Sequence, residues 1–367
     1  MMPILRPTIA EVDLKKLARN MRKVHEQAGE NVRVLTVLKA NAYGHGAVPL
    51  GLFLEKNKLS DFFGAASVEE ALQLRQAGVT LPILVLGSIY PFEAFEYAIK
   101  NNIAITIASL DAAKAVCEIA EKLGKKALCH VKQDTGMGRI GTRRGGVFNV
   151  IEYLDKNPHV ILDGLFTHLS SVETDPAYTE EQIGYYRDTL TNVHLKGIHI
   201  NYCHVAASAA ITARPDVHYD MVRTGHSALG LEPGFEPILS LKTRVVYVKD
   251  VPAGASISYN RSFIAPSAMK VATLPLGYGD GYLRALSNKA EVLINGKRCR
   301  VLGNITMDML MVDITNAGPV KVGDEVVAVG RQGDEEITYA ELAEKAGTID
   351  YELCTLLMPR VPRIYKE

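Results

Sequence analysis

Short apolar, β-branched runs alternate with amphipathic stretches along the first two-thirds of the chain. A strand-like segment at 9–12 leads into Asp13, a residue type suited to capping a helix N-terminus. Leu14, Leu17, Met21 and Val24 then recur at helical spacing and predict one apolar face. The run 34–38 has strand length and composition; Lys39 closes it, and Gly44 and Gly46 follow as turn residues. Further strands are predicted over 62–66, 83–86, 103–108, 127–132, 160–168, 198–204 and 219–223, with helical patterns between them. These eight strands are apolar on both faces, as parallel strands covered on both sides should be. Eight strand-then-helix units predict an α/β fold, a (β/α)8 TIM-type barrel, whose chemistry belongs at the C-terminal ends of the strands. Those ends carry Lys39, Lys132, His168, His204 and Arg223.

The pattern changes after Pro237. Short β-rich runs at 243–248, 269–274, 291–294, 298–302, 309–314 and 325–329 are interrupted by a single clear helix at 338–345. Asn295-Gly296 is a type I′ hairpin signal. The expected organisation is a barrel over residues 1–237 and a mostly β domain over 238–367. The first strand, near residues 7–12, is open to pairing with the second domain.

Composition narrows the function classes. A 47% hydrophobic chain with 22% charged residues can build a sizeable core. Lys plus Arg (41) balances Asp plus Glu (41), so nothing favours nucleic acid as a partner. The five cysteines are scattered without CxxC spacing, which suits a reducing compartment. The first residues reach Glu11 and Asp13 too soon for a signal-peptide core, and no apolar run approaches the ~20 residues of a membrane span. The expectation is a cytoplasmic protein with no membrane partner. No metal-ligand spacing such as HExxH is present, and no metal is expected.

A lysine ending an apolar strand is partly desolvated, which lowers its pKa and makes the amine a usable nucleophile; the alternative is a lysine snorkelling into water. The surrounding string decides between them. Lys39-Ala40-Asn41-Ala42-Tyr43-Gly44-His45-Gly46 resembles, without a break, the cofactor-lysine segment of alanine racemases, which use pyridoxal 5′-phosphate (PLP). Lys132-Gln133-Asp134-Thr135-Gly136-Met137-Gly138-Arg139-Ile140-Gly141 resembles the family's second signature. Thr167-His168, His204-Val205-Ala206-Ala207-Ser208 and Val222-Arg223-Thr224-Gly225 are similar to its next three. Ser258-Tyr259, Gly277-Tyr278-Gly279-Asp280-Gly281, Met307-Asp308 and Arg360-Val361-Pro362-Arg363 are similar to its C-terminal set, in the expected order.

The resemblance implies roles position by position. Lys39 matches the lysine that holds PLP as a Schiff base and, once displaced by the amino acid, acts as one of two bases. Tyr259 matches the second base, lent by the partner subunit of a homodimer with shared active sites. A phenol needs neighbouring positive charge for that task, and His168 and Arg223 are the implied sources. Arg223 matches the partner of the pyridine nitrogen; an arginine cannot accept a proton, which should keep that nitrogen unprotonated and favour return of the proton to Cα. Arg139 matches the contact to the cofactor's phenolic oxygen and the substrate carboxylate. Lys132 matches a lysine often carbamylated in the family. Tyr43, Ser208, Gly225 and His226 match the phosphate cup. Met307, Asp308 and Tyr278 match residues expected beside the substrate. His226 stands where an aliphatic residue is usual, and Pro359 where some members carry a phosphate-contacting tyrosine, which bears on pocket width.

The implied activity is interconversion of L- and D-alanine, supplying D-alanine for peptidoglycan. The alternative is a PLP-dependent racemase of broader or different specificity, for example for serine. A PLP-carrying homeostasis protein would lack the β domain and the tyrosine. A decarboxylase of similar architecture would be expected to place a carboxylate where Arg223 stands.

Overall fold

A computed structural model describes residues 5–367. It separates into two compact units. One comprises Ala18–Ala42 and Ala47–Phe235; the other comprises the chain up to Leu17, Tyr43–Gly46 and Glu236–Glu367. Strand β1 (Ile9–Asp13) belongs to the latter.

In the first unit, β2 (Arg33–Val37), β3 (Phe62–Ala65), β4 (Ile83–Val85), β5 (Ile103–Ile107), β6 (Ala127–Lys132), β7 (Val160–Phe166), β8 (Tyr202–His204) and β9 (Met221–Thr224) form one parallel sheet. Its order runs β8-β7-β6-β5-β4-β3-β2-β9, so β2 to β8 pair consecutively and β9 returns to pair with β2. Leu35 of β2 registers with Phe62 on one side and with Arg223 of β9 on the other. Between β8 and β9 the Asp220 N–H donates to Cys203 O (3.1 Å) and the Arg223 N–H to Ala206 O (3.0 Å), so the ring is nearly closed. Every residue of β3, β4 and β5 is buried. That is the burial expected of strands packed inward on barrel side chains and outward on helices.

Several strands are shorter than their apolar runs. The run 198–204 yields only Tyr202–His204, and 160–168 stops at Phe166, releasing Thr167 and His168 to the rim. Lys39 does not end a strand. It opens a turn in which Ala40, Asn41, Ala42 and Tyr43 have φ of 52, 54, 52 and 51°. Four successive left-handed L-residues are costly, at about 1–2 kcal/mol each. Apolar patterning alone does not signal such a turn.

In the second unit, β1 pairs antiparallel with Leu239–Arg244 and parallel with Arg363–Lys366. The sheet continues from Leu239–Arg244 through Glu325–Gln332, Glu291–Ile294, Lys297–Leu302, Leu310–Asp313 and Met269–Leu274 to Tyr247–Val251. The Asn295-Gly296 hairpin has positive φ at both residues (53° and 70°), as a type I′ turn requires. The predicted helix is present as Tyr339–Ala346, capped by Thr338 Oγ1 accepting from the Glu341 N–H. The expectation of a single helix is corrected. Asp350–Thr355 forms a second, too short at six residues for a periodic apolar pattern to declare it. Among the described residues, no helix is long and apolar enough to cross a membrane.

Candidate active site

Three hydrogen bonds at residues 40–42 hold the left-handed turn after Lys39, and a fourth braces Glu70. Glu70 Oε1 accepts from the Ala40 N–H at 2.8 Å, while its Oε2 accepts from the Ala66 N–H at 2.7 Å. Leu38 O accepts from the Ala42 N–H at 2.7 Å. Asn41 Oδ1 accepts from the Ala47 N–H at 2.9 Å, where the next helix begins. The strain is thus offset by fixed partners. Burial lowers the Lys39 pKa, and the Arg139 charge lowers it further against an opposing contribution from Glu70. An amine so placed is neutral more often than a surface lysine and is correspondingly more nucleophilic.

Lys132, at the end of β6, is 3% exposed. Burial, then the charges of Arg223 and Arg139, bring its pKa down to about 7, with Asp134 opposing. Its Nζ lies 4.6 Å from the Phe166 ring centre. Arg223 is also buried. Its guanidinium donates to the carbonyls of Thr167 (2.8 Å), Val205 (3.0 Å) and His204 (3.1 Å) and to His204 Nδ1 (2.9 Å). None of these acceptors is a carboxylate. His168 Nδ1 stands 3.5 Å from the same guanidinium. Burial, together with the charges of Arg223, Lys132, Arg139 and Lys39, drives the His168 pKa down to about 3. His168 is therefore a neutral imidazole at physiological pH, and the expectation that it supplies positive charge to the tyrosine is corrected: burial among cations strips its proton and leaves Arg223 as the charge.

A chain of polar groups continues behind Arg223. Since arginine only donates, His204 Nδ1 must accept, and His204 Nε2 carries the proton. That nitrogen lies 3.0 Å from His130 Nδ1, and His130 Nε2 lies 3.4 Å from Asp163 Oδ2. Gly164 makes room for it: a Cβ there would lie 2.1 Å from His130 Nδ1. Sequence reading placed His204 at a strand end but passed over His130, Asp163 and Glu70. His130 did carry a signal, since it lies two residues before Lys132 and so shares its strand face.

Arg139 is exposed on the loop that follows β6. Asp134 organises that loop: its Oδ1 accepts from the N–H groups of Gly136 (3.1 Å) and Gly138 (2.9 Å). Gly136, at φ +148°, also admits the Tyr178 hydroxyl, which donates to its carbonyl at 3.0 Å. Near the ends of β8 and β9, Ser208 Oγ accepts from the N–H groups of Gly225 (3.1 Å) and Ser227 (3.3 Å). His226 Nδ1 lies 3.5 Å from Glu232. The barrel unit thus brings together Lys39, Lys132, Arg139, His168 and Arg223, and separately Ser208, Gly225 and His226. Tyr43 groups with the other unit.

In that other unit Tyr259 is 70% exposed and stands on a strained loop, with Ser258, Asn260 and Arg261 at φ of 67, 61 and 51°. Asn304 Nδ2 donates to Tyr259 O at 2.9 Å. Gly303 permits the approach, for a Cβ there would lie 2.7 Å from Ile257 O. Tyr278 and Met307 are joined through backbone: the N–H groups of Tyr278 and Gly279 donate to Thr306 O (3.1 Å) and Met307 O (2.9 Å). Tyr259, Tyr278, Met307 and Met309 are all exposed large hydrophobics.

Residues 12–233 match the family model described as the alanine racemase N-terminal domain, and 238–365 the alanine racemase C-terminal domain. The chain belongs to the alanine racemase family. Family membership makes it a PLP-dependent racemase, an isomerase. It is 42% identical over 370 residues to the alanine racemase of Symbiobacterium thermophilum, covering 98% of this chain and 97% of the relative. It is 42% identical over 371 residues to alanine racemase 2 of Caldanaerobacter subterraneus subsp. tengcongensis, covering 98% and 95%. Among solved structures, the alanine racemase of Clostridium difficile 630 superposes with a TM-score of 0.94 at 38% identity, covering all of this chain and 97% of that one. The Bacillus anthracis alanine racemase with bound L-Ala-P gives 0.92 at 34% identity, covering 100% and 96%.

The barrel's side chains suit the family's cofactor. Lys39 supplies an amine of lowered pKa, Arg223 a donor that takes no proton, and Ser208 a hydroxyl whose proton can go to a phosphate while its oxygen accepts from the Gly225 N–H.

Proposed function

We propose that the protein interconverts L- and D-alanine as a homodimer, with PLP held in the barrel. Lys39 would carry the cofactor as an imine. Tyr43, Ser208 and the N–H groups of Gly225 and His226 would take its phosphate, Arg223 its ring nitrogen and Arg139 its phenolic oxygen. When bound, PLP withdraws electrons from the substrate's Cα–H bond. Lys39 Nζ then removes or returns the proton on one face of Cα. The partner subunit's Tyr259 does so on the other, since inversion needs a base on each side. The exposure of Tyr259 on a strained, clamped loop supports its being offered to a second subunit. Arg139 would hold the substrate carboxylate, with Met307 and Asp308 from the partner's β unit near it, and Tyr278 would line the entrance. His168, neutral and beside Arg223, would orient the tyrosine without competing for its proton.

One observation carries most weight. The arginine facing the barrel mouth is buried and bonded only to neutral acceptors, so it can offer a hydrogen bond but never a proton relay. Such a site disfavours protonation of the ring nitrogen and so favours return of the proton to Cα.

Lys132 fits carbamylation. With a pKa of about 7, a large share of its amine is neutral at neutral pH and can attack carbon dioxide, releasing one proton and leaving a carbamate beside Arg139. A high-resolution map with a plain ammonium at full occupancy would dismiss this. The product D-alanine suits peptidoglycan synthesis in the cytoplasm. The test of function is incubation of PLP-loaded protein with each L-amino acid, followed by chiral chromatography. D-Alanine should dominate, and Lys39→Ala should abolish it. A larger yield of D-serine would favour the broader-specificity reading.

A further inference from the structure

Three separated motifs of the β unit meet at one buried carboxylate. Asp280 is wholly buried. Its Oδ2 accepts from Arg6 Nη2 (2.8 Å) and from the Gly277 N–H (2.9 Å), and its Oδ1 from Arg6 Nη1 and from Arg360 Nε (2.8 Å). Its carbonyl accepts from the Met358 N–H at 3.1 Å. Asp280 therefore ties the N-terminal segment, the 277–281 turn and the C-terminal 358–360 segment to one point.

Arg360 extends from that anchor. While Nε binds Asp280, Nη1 donates to Asp308 Oδ1 at 2.8 Å and Nη2 to Met307 O at 3.2 Å. The Asp308 side chain is 58% exposed and Asp280 fully buried, so the guanidinium joins a surface carboxylate to an interior one. Two glycines keep the path clear. A Cβ on Gly277 would lie 2.3 Å from Thr306 O, and one on Gly279 would lie 2.5 Å from Arg360 Nη2. The exposed ion pair by itself contributes little stability. Its value is geometric: a rigid planar fork satisfies a carboxylate, a backbone carbonyl and a buried anchor at once, which a flexible ammonium cannot do.

We propose that Arg360 is a positioning residue for the reaction: it fixes the backbone at Met307 in the orientation that receives the substrate carboxylate, and it pairs the Asp308 carboxylate, whose uncompensated charge would repel that anion. The inference rests on the functional reading above. Arg360 acts through Asp308 and Met307, so its removal should loosen binding while leaving proton transfer intact.

The test compares the PLP-loaded parent dimer with Arg360→Met and Arg360→Lys. Arg360→Met should raise KM for alanine about tenfold with kcat nearly unchanged, short of the hundredfold that a ~1 Å misplacement can cost. The inhibition constant of acetate, a bare carboxylate probe, should rise in parallel. Arg360→Lys, which keeps the charge but not the fork, should fall between parent and Arg360→Met. The cofactor absorbance should be unaltered in both. Parental KM and acetate inhibition in Arg360→Met overturn the proposal, as does a fall in kcat at constant KM. If Arg360→Met does not fold, Arg360→Lys decides by the same criterion. A parent that fails to racemise alanine sinks the functional reading and this role with it; an active parent with an indifferent Arg360→Met sinks this role alone.

Discussion

Lys132 and Arg223 in the barrel and Asp280 in the β unit are all buried ionisable groups, but their surroundings differ. Arg223 bonds to carbonyls and an imidazole, and Lys132 lies over an aromatic ring with a pKa drawn down to about 7. Asp280 instead takes two guanidiniums and a backbone N–H. Burial without a counter-charge destabilises the charged form and turns ordinary side chains into reactive or neutral ones. Burial with full pairing preserves the charge and turns it into an anchor. Lys132 shows the first kind of burial in the barrel, and Asp280 the second in the β unit.

The comparison can be broken at its strongest point by Tyr259→Phe. Its β-unit loop is strained, yet the hydroxyl forms no part of the clamp, which uses the Tyr259 carbonyl. Racemisation should fall by about 10²–10⁴-fold, the usual worth of a general base, while cofactor absorbance persists. Unchanged racemisation would refute the two-base assignment. Gly44→Ala probes packing rather than chemistry. A Cβ at φ +82° would lie 2.1 Å from Cys354 O, so denaturant titration should show a loss of about 3 kcal/mol. A loss below about 1 kcal/mol would mean that the backbone there can move aside.

The barrel's neutral imidazoles predict an acid-sensitive fold. The His168 pKa is about 3 when folded, against ~6.5 when unfolded, so between those values the unfolded chain binds the extra proton. Stability should therefore rise with pH across that window, by at most about 1.4 kcal/mol per pH unit for one group. Thermal melts of His168→Asn should show a shallower acid slope; an identical slope would assign the sensitivity elsewhere. The smallest effect concerns Ala40, exposed at φ 52°. Ala40→Gly should leave stability level or raise it by about 0.5 kcal/mol, because relief of left-handed strain outweighs the added chain entropy. A clear loss would show that the methyl group, and not only Glu70, holds the turn.

Much of the barrel was readable because its strands are continuous apolar runs, and a side-chain period needs no partner to be visible. The Asn295-Gly296 turn was readable for a local reason too: both residues tolerate positive φ. The motif residues Lys39, Arg139, His168 and Arg223 were named from resemblance, because a run of residue types is visible without the fold.

What residue order determined was the alternation of elements, the change of texture near residue 237 and the identity of the motifs, all of which depend on neighbours in sequence. Tertiary structure alone decided the left-handed turn after Lys39, which exists because Glu70, 30 residues on, accepts from Ala40. It likewise decided the Asp163–His130–His204–Arg223 succession and the meeting of Arg6, Asp280, Asp308 and Arg360. Hydrogen bonds and buried charges are directional and act between distant positions, so no local pattern announces them.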